Sequence, residues 1–372
     1  MSPSNKSVTR SSGTKKRSHS EPVIKFVGAG AFKCVIEPAI PCDGKKLPKG
    51  YVSAIATYKE LRNEQKTYSI IQKVDPQHKF TLKPPQVCEL KNQITVLNHP
   101  VINNNCRGIV DYYEMSSGDD IAGNMVMKRE GISVGNIKFG SLSSYKRNKM
   151  IRALPQLVEA IIAINRVGYA HYDIKTDNIL YDSKQNKYIL IDFGISAPVG
   201  DGYTNDYFKQ PYSFWPPDMT DNYMTITNSI ERKLLSYDPK FKQWFYENMT
   251  AAKQHMLKNP KDYIKVAKNK VDVYSLGIAF FRIGMETMSP RMFRKFVIDV
   301  ITPMIDPNAY YRVNAKEALS LLNEFLFDTR TRSRQTSGSN YNNRISSTTR
   351  SMTKSRSKNI TMRKKSKTNR TK

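Results

Sequence analysis

Apolar residues along this chain follow two periods, and the change from one to the other divides it. From about 22 to 140 the apolar runs are short and strand-like. "PVIKFVGAGAFKCVIEP" (22–38) predicts a strand, a glycine turn and a second strand, and "GYVSAIATY" (50–58) predicts a third. One helical stretch interrupts them: "KELRNEQKTYSIIQKV" (59–74) puts Leu61, Tyr68 and Ile71 on related faces. "NMVMKREG" (124–131) is a strand ending in a polar connection. After 145 the period lengthens. "MIRALPQLVEAIIAINRVGYA" (150–170) carries Ile151, Leu154, Leu157, Val158, Ile161 and Ile162 at helical spacing and predicts one buried amphipathic helix. "YILIDFG" (188–194) predicts a short buried strand breaking into a polar turn, and "VDVYSLGIAFFRIG" (271–284), apolar nearly all round, a central buried helix. A β-rich first part and an α-helical second part predict an α+β fold of two lobes with a cleft between them.

Composition alters this picture only at the ends. Of a net charge of +28 over 372 residues, five Lys/Arg fall in 1–20 and fourteen in 329–372, with no acidic residue in either stretch. Both stretches are rich in Ser, Thr and Asn and poor in large apolar groups, so they cannot offset the entropy of ordering. We therefore expect disordered basic tails at 1–21 and 329–372 around a folded body at 22–328. Their charge suits polyanion partners: nucleic acid, an anionic membrane surface or acidic proteins. A solubilising, phosphorylatable tail is the plainer alternative. "KKR" (15–17) and "RKKSK" (363–367) also fit nuclear addresses. Cysteines 34, 42, 88 and 106 show no CxxC spacing and the N-terminus is polar, so neither a disulfide scaffold nor a zinc site is expected. A reducing, intracellular setting, cytoplasmic or nuclear, fits that reading. No apolar run is long enough to span a bilayer, and no membrane insertion is expected. Nothing in the pattern specifies an oligomeric state.

The chemistry concentrates in "HYDIKTDNIL" (171–180) and "IDFG" (191–194). Asp173 and Asn178 share one loop, and Asp192 follows a strand on a turn that Gly194 permits. Two carboxylates and an amide can converge there, which is what phosphoryl transfer needs: an oxygen to orient a hydroxyl, and oxygen ligands for Mg²⁺.

At these residues the chain resembles the eukaryotic-type protein kinase superfamily, over about 22–328. The resemblance implies a bilobal protein kinase-like fold, with an N-lobe at about 22–131, a C-lobe at about 132–328 and an insertion at 219–271. It implies Asp173 as catalytic base, Lys175 stabilising the transferring phosphoryl group, and Asn178 and Asp192 as Mg²⁺ ligands. "FWPPD" (214–218) is similar to the end of the activation segment, with Asp218 where Glu is usual. "DVYSLG" (272–277) is similar to the start of the central C-lobe helix, where Asp272 would brace the catalytic loop. Arg312 would pair with Asp218. Tyr172 stands where an arginine is usual, so the Arg–phosphate switch is lost, and activity without activation-loop phosphorylation is expected, although Tyr203, Thr204, Tyr207 and Ser213 are present. The insertion segment 230–257 reads as helical, either a partner surface or a packed elaboration.

One part is missing. The third strand should carry the lysine that holds the ATP phosphates, yet its candidate positions are Ala54 and Ala56, and Lys59 has the wrong parity. "GAGAFKCV" (28–35) instead has Lys33 where a third glycine is expected. A four-carbon side chain there can reach a phosphate. This resembles the with-no-lysine kinases, and Glu64, or alternatively Glu60, would be the partner of Lys33. The nucleotide pocket is then expected at Val27, Gly28, Gly30, Lys33, Val35, Met127, Asn178 and Asp192, with the hinge near Lys128–Gly131. The loop "DIKTDN" is similar to that of Ser/Thr kinases. ATP and Mg²⁺ are the expected cofactors and proteins the expected substrates. The alternative is a pseudokinase scaffold whose basic tails bind nucleic acid or protein partners; a small-molecule phosphotransferase is a third reading. Short pieces, "PAIPC" (38–42) and "DP" (75–76), are similar to kinases of large DNA viruses, which would add the virion as a location.

Overall fold

The computed structural model describes residues 23–30, 33–115, 121–204, 214–219, 233 and 239–337. The tails at 1–22 and 338–372, and Tyr207 and Ser213, lie outside the described residues. The α+β expectation is met: a five-stranded antiparallel sheet leads and a helical part follows.

The sheet has the order β1-β2-β3-β5-β4, with β1 Lys25–Ala29, β2 Cys34–Glu37, β3 Tyr51–Thr57, β4 Gln86–Glu89 and β5 Ala122–Lys128. Helix α1, Tyr58–Ile71, follows β3 without a loop because Thr57 caps it, its hydroxyl accepting from the Glu60 amide. The buried face of α1 carries Leu61, Glu64, Thr67, Tyr68 and Ile71. Leu61 joins the core under the sheet while Tyr68 and Ile71 join the core of the helical part, so α1 is packed into both. Met127 on β5 also packs against both cores.

Three short helices, α2 Gln93–Leu97, α3 Pro100–Asn105 and α4 Arg107–Met115, stand where the sequence was expected to be strand-like. At 5, 6 and 9 residues, each is shorter than the span of about 11 over which a helical period registers. The cysteine expectation is also overturned: Cys34 is bonded to Cys106 and Cys42 to Cys88, with Cα–Cα separations of 5.5 and 5.7 Å. The partners lie 72 and 46 residues apart in sequence, so local spacing could not reveal them. Folding brings β2 against the α3–α4 junction and the β2–β3 loop against β4.

The helix expected over 150–170 is two helices, α5 Ser144–Ala153 and α6 Pro155–Arg166, ending before a short strand β7, Tyr169–Ala170. Pro155 explains the break: it lacks an amide hydrogen and suits only a first helical turn. Ile151, Leu154, Leu157, Val158 and Ile161 are buried as expected, and Ile162 is half-buried. Strand β6, Ile132–Ser133, pairs with β8, Ile179–Asp182, which pairs with β9, Lys187–Leu190; β10, Ala197–Pro198, pairs with β7. After the single turn α7, Asp201–Thr204, the insertion supplies α8, Pro239–Lys258, and α9, Pro260–Ala267. Phe245, Met249, Ala252, Tyr263 and Ala267 are buried, so this part of the insertion is packed against the body. Helix α10, Val271–Thr287, is buried through most of its length, as its all-round apolar sequence predicts.

Beyond α11, Pro290–Phe296, the last helix α12 runs Ala315–Ser337. It continues past 328 into the stretch expected to be disordered. The run "LNEFLFDTRTRSR" has no Gly or Pro to stop it, and helix propensity carries it on. The chain divides into two compact units, Met1–Leu326 and Phe327–Lys372.

Candidate active site

The glycine turn forms as its sequence requires. The β1–β2 register slips between Phe26 and Gly28, and the Gly30 amide donates to the Lys33 carbonyl at 2.8 Å. A Cβ added at Gly28 or Gly30 would meet nothing within 4 Å, so both glycines border open space. Val35 lies opposite Ala54 in the sheet, and Met127 opposite Val52. Alternation therefore puts Val35, Ala54, Ala56 and Met127 on one face. Ala54 and Ala56 are both buried.

Lys33 leaves the start of β2 and reaches two carboxylates. Its ammonium donates to Glu64 Oε2 at 2.7 Å and to Asp192 Oδ1 at 2.6 Å. Glu64 is buried, in the apolar stripe of α1, whereas Glu60 is occupied by the Thr57 hydroxyl at 2.8 Å. Of the two glutamates, it is Glu64 that Lys33 contacts. Burial by itself would lower the Lys33 pKa, but Glu64 and Asp192 outweigh it and hold the ammonium above the ordinary lysine value. Burial pushes the Glu64 carboxyl up, with Lys33 countering in part. Burial also opposes ionisation of Asp192, but there Lys33 prevails and holds the carboxyl below the ordinary aspartate value. Asp192 has φ 65°, a left-handed conformation rare for a residue with a Cβ. It turns the chain directly after β9.

The second cluster is in the loop between β7 and β8. Lys175 Nζ donates to both oxygens of Asp173 at 3.0 Å. The Asn178 amide group donates to Asp173 Oδ2 at 2.7 Å and to the Asp173 carbonyl at 3.0 Å. One cation and one amide therefore hold the Asp173 carboxylate. His171 accepts the Asp173 amide at Nδ1, which assigns its hydrogen to Nε2, 3.1 Å from the Ile191 carbonyl. The Ile191 amide in turn donates to the Asn178 carbonyl at 3.0 Å. The two clusters are thus tied together through residues 191 and 192.

Deeper supports fix the loop. Asp272, at the start of α10, accepts the His171 amide at 2.7 Å and the Tyr172 amide at 2.9 Å. Its burial pushes its carboxyl up, and these contacts act against that shift. Asp218 and Arg312 form a fully buried ion pair at 3.0 Å, so the shorter acid suffices. Tyr263 of the insertion completes it, donating to Asp218 at 2.6 Å, and Tyr203 donates to the same carboxylate at 3.3 Å.

Arg282 was not foreseen from sequence. Its guanidinium donates to the Thr176 hydroxyl at 2.7 Å and the Gly135 carbonyl at 3.3 Å, tying α10 to the loop. Its signal is a lone cation within the apolar run "GIAFFRIG". Gly135 is required beside it, because a Cβ there would lie 2.4 Å from Asp177 Oδ1.

Comparison with known proteins bears on residues 45–231, half of the chain, which match the protein kinase domain family. That stretch contains Glu64, Asp173, Lys175, Asn178, Asp192 and Asp218, and it stops short of Lys33. A probable serine/threonine-protein kinase of Dictyostelium discoideum is 51% identical over 49 residues, 13% of this chain and 5% of that protein. A second probable serine/threonine-protein kinase of the same organism, fnkB, is 36% identical over 52 residues, 13% of this chain and 10% of that protein. The matched stretches are a tenth or less of those relatives' own length.

Proposed function

This chain belongs to the protein kinase domain family, and from that premise we propose that it transfers the γ-phosphate of ATP to Ser and Thr hydroxyls of proteins, with Lys33 as the cation on the nucleotide phosphates. The observation that carries the reading is the bridge from Lys33 to Glu64 and Asp192. An ammonium between a helix carboxylate and the acid of "DFG" occupies the role normally given to a third-strand lysine. Open space at Gly28 and Gly30 suits close approach of a phosphate chain to the turn.

The donor set fits Mg²⁺. One carboxylate, Asp192, and one amide oxygen, that of Asn178, are too few for an all-protein cage and suit an ion that arrives with phosphates. When bound, Mg²⁺ would neutralise phosphate charge. The chain's own groups do the rest. Asp173, held by Lys175 and Asn178, is oriented to accept a hydrogen bond from the attacking hydroxyl. Lys175 offsets the Asp173 carboxylate and offers a cation beside the transferring group. Glu64 holds Lys33 in place, Val27, Val35 and Met127 line the base pocket, and Asp272 and Arg282 fix the loop. Among the described residues no helix is long and apolar enough to cross a membrane. The basic termini suit polyanions or acidic proteins, a role separate from the cleft.

The test is transfer of labelled phosphate from Mg-ATP to a basic protein, with phosphoamino-acid identification of the product. Wild type is expected to yield phosphoserine or phosphothreonine. Asp173→Asn and Asp192→Ala are expected to lose ~10²-fold or more in rate. A wild-type protein that labels no substrate would refute the reading in favour of a pseudokinase.

A further inference from the structure

We propose that Tyr172 is a positioning residue: its phenol clasps the start of the activation segment to the catalytic loop and holds it in working order without a phosphate. The inference rests on the kinase reading above and adds to it the device that orders the segment.

Tyr172 precedes Asp173 and is fully buried. It has φ 60°, so the chain accepts a costly left-handed conformation to place this side chain. All three of its polar groups are engaged. Its amide donates to Asp272 at 2.9 Å, and its carbonyl accepts from Trp215 Nε1 at 2.5 Å. Its hydroxyl donates to the Pro198 carbonyl at 3.3 Å and accepts the amides of Gly200 at 3.1 Å and Gly202 at 3.2 Å. One donor and two acceptor sites are all that a phenol has. A single residue therefore holds both ends of the segment, Pro198–Gly202 at its start and Trp215 near its close.

The surroundings are shaped for a neutral ring. Tyr172 packs in an apolar cluster with Ala170, Trp215, Met219 and Val271, flanked by Ile195 and Val199. A Cβ on Gly202 would lie 2.7 Å from Tyr172 Cε1, so the segment approaches as closely as glycine allows. Burial, opposed by the two glycine amides, pushes the phenol pKa up to about 12, which keeps the hydroxyl protonated at neutral pH. A guanidinium in this cluster would need an anion beside it. Three backbone groups satisfy the phenol hydroxyl, so the clasp is closed in the unmodified chain.

The experiment compares wild type with Tyr172→Phe, each after phosphatase treatment. Hydrogen exchange of the Gly200 and Gly202 amides is read first, because it needs no activity. We expect exchange faster by about tenfold or more in Tyr172→Phe, the loss of one to two ordinary hydrogen bonds, with other buried amides unchanged. In the transfer assay kcat per folded molecule is expected to fall by about tenfold while KM for ATP stays within about twofold; unchanged exchange of the other buried amides excludes general destabilisation as the cause. Phosphatase-treated wild type is expected to keep its activity. Equal exchange at both glycines in the two proteins would overturn the clasp. Loss of wild-type activity on phosphatase treatment would overturn its phosphate independence. Faster exchange in the variant alongside a wild type that transfers no phosphate would leave the clasp standing and sink the kinase reading, so the two failures are distinguishable.

Discussion

Replacing Lys33 by Ala tests the relocated lysine where its consequences are largest. The ammonium contacts Glu64 at 2.7 Å and Asp192 at 2.6 Å. At an effective dielectric constant near 20 each contact carries a gross attraction of about 6 kcal/mol, most of it offset by desolvation. The Lys33 side chain is 20% exposed and that of Asp192 35%, so solvent screens that contact, while Glu64, 2% exposed, can shed its charge by taking up a proton once Lys33 is gone. The net stability loss should therefore be about 1–2 kcal/mol, below the 3–5 kcal/mol typical of breaking a fully buried pair. Activity should suffer more. Removing a preorganised charge from a phosphoryl-transfer site costs roughly 10²–10³ in rate, ~3–4 kcal/mol. Steady-state kinetics with a protein substrate, set beside urea unfolding of the same preparations, separate the two effects. Alanine at 33 combined with Ala56→Lys sharpens the test. Position 56 faces Gly123, and a Cβ on Gly123 would strike Tyr58 and Leu61 of α1, so a lysine there starts beneath the helix that carries Glu64. Partial recovery is expected, limited by an overpacking cost of about 1–3 kcal/mol. If Lys33→Ala keeps kcat/KM within about threefold of wild type, the lysine makes no transition-state contact and the relocation idea is refuted.

Further expectations follow from the supports around the site. The non-reduced protein should take up no thiol reagent, folded or unfolded, until a reductant is added; the disulfides close loops of 72 and 46 residues, so reduction should cost up to about 4 kcal/mol of stability for the longer, read as a lower urea midpoint. Their loops are nested, so losing both disulfides should cost less than the sum of losing each alone. Burial pushes Asp306 up to about 6. The folded state thus favours its protonated form, and the stability this brings is present below pH 4 and lost as pH rises through about 6. Asp306→Asn should flatten that slope and add up to about 3 kcal/mol at pH 7, read from unfolding at pH 4.5 and 7. Arg312→Met should cost about 3–5 kcal/mol because Asp218 is left buried with its charge, whereas Arg312→Met with Asp218→Leu should cost less, as a double-mutant unfolding cycle would measure.

Features that depend on neighbours in the chain could be read from the residues. Alternation along β3, the helical stripe of α1 and the apolar length of α10 were legible because each element's period is written in its own residues. "HYDIKTDN" and "DFG" were legible for a related reason: a loop that presents Asp173, Lys175 and Asn178 together needs them at fixed short spacing. The misreadings have the same origin. Pro155 marked a break that the apolar period passed over, and α2 to α4 are too short for a period to register. Contacts between residues far apart in the chain emerged with the fold. Glu64 was preferred to Glu60 because packing put it in the buried face of α1, within reach of Lys33, while Glu60 stayed with the helix cap. Cysteines 72 residues apart became partners because the sheet carried β2 to the α3–α4 junction. Tyr172 read as a lost arginine until the fold laid Gly200 and Gly202 on its hydroxyl. Hydrogen bonds and ion pairs act over a few ångströms of space, and only folding converts separation along the chain into that distance.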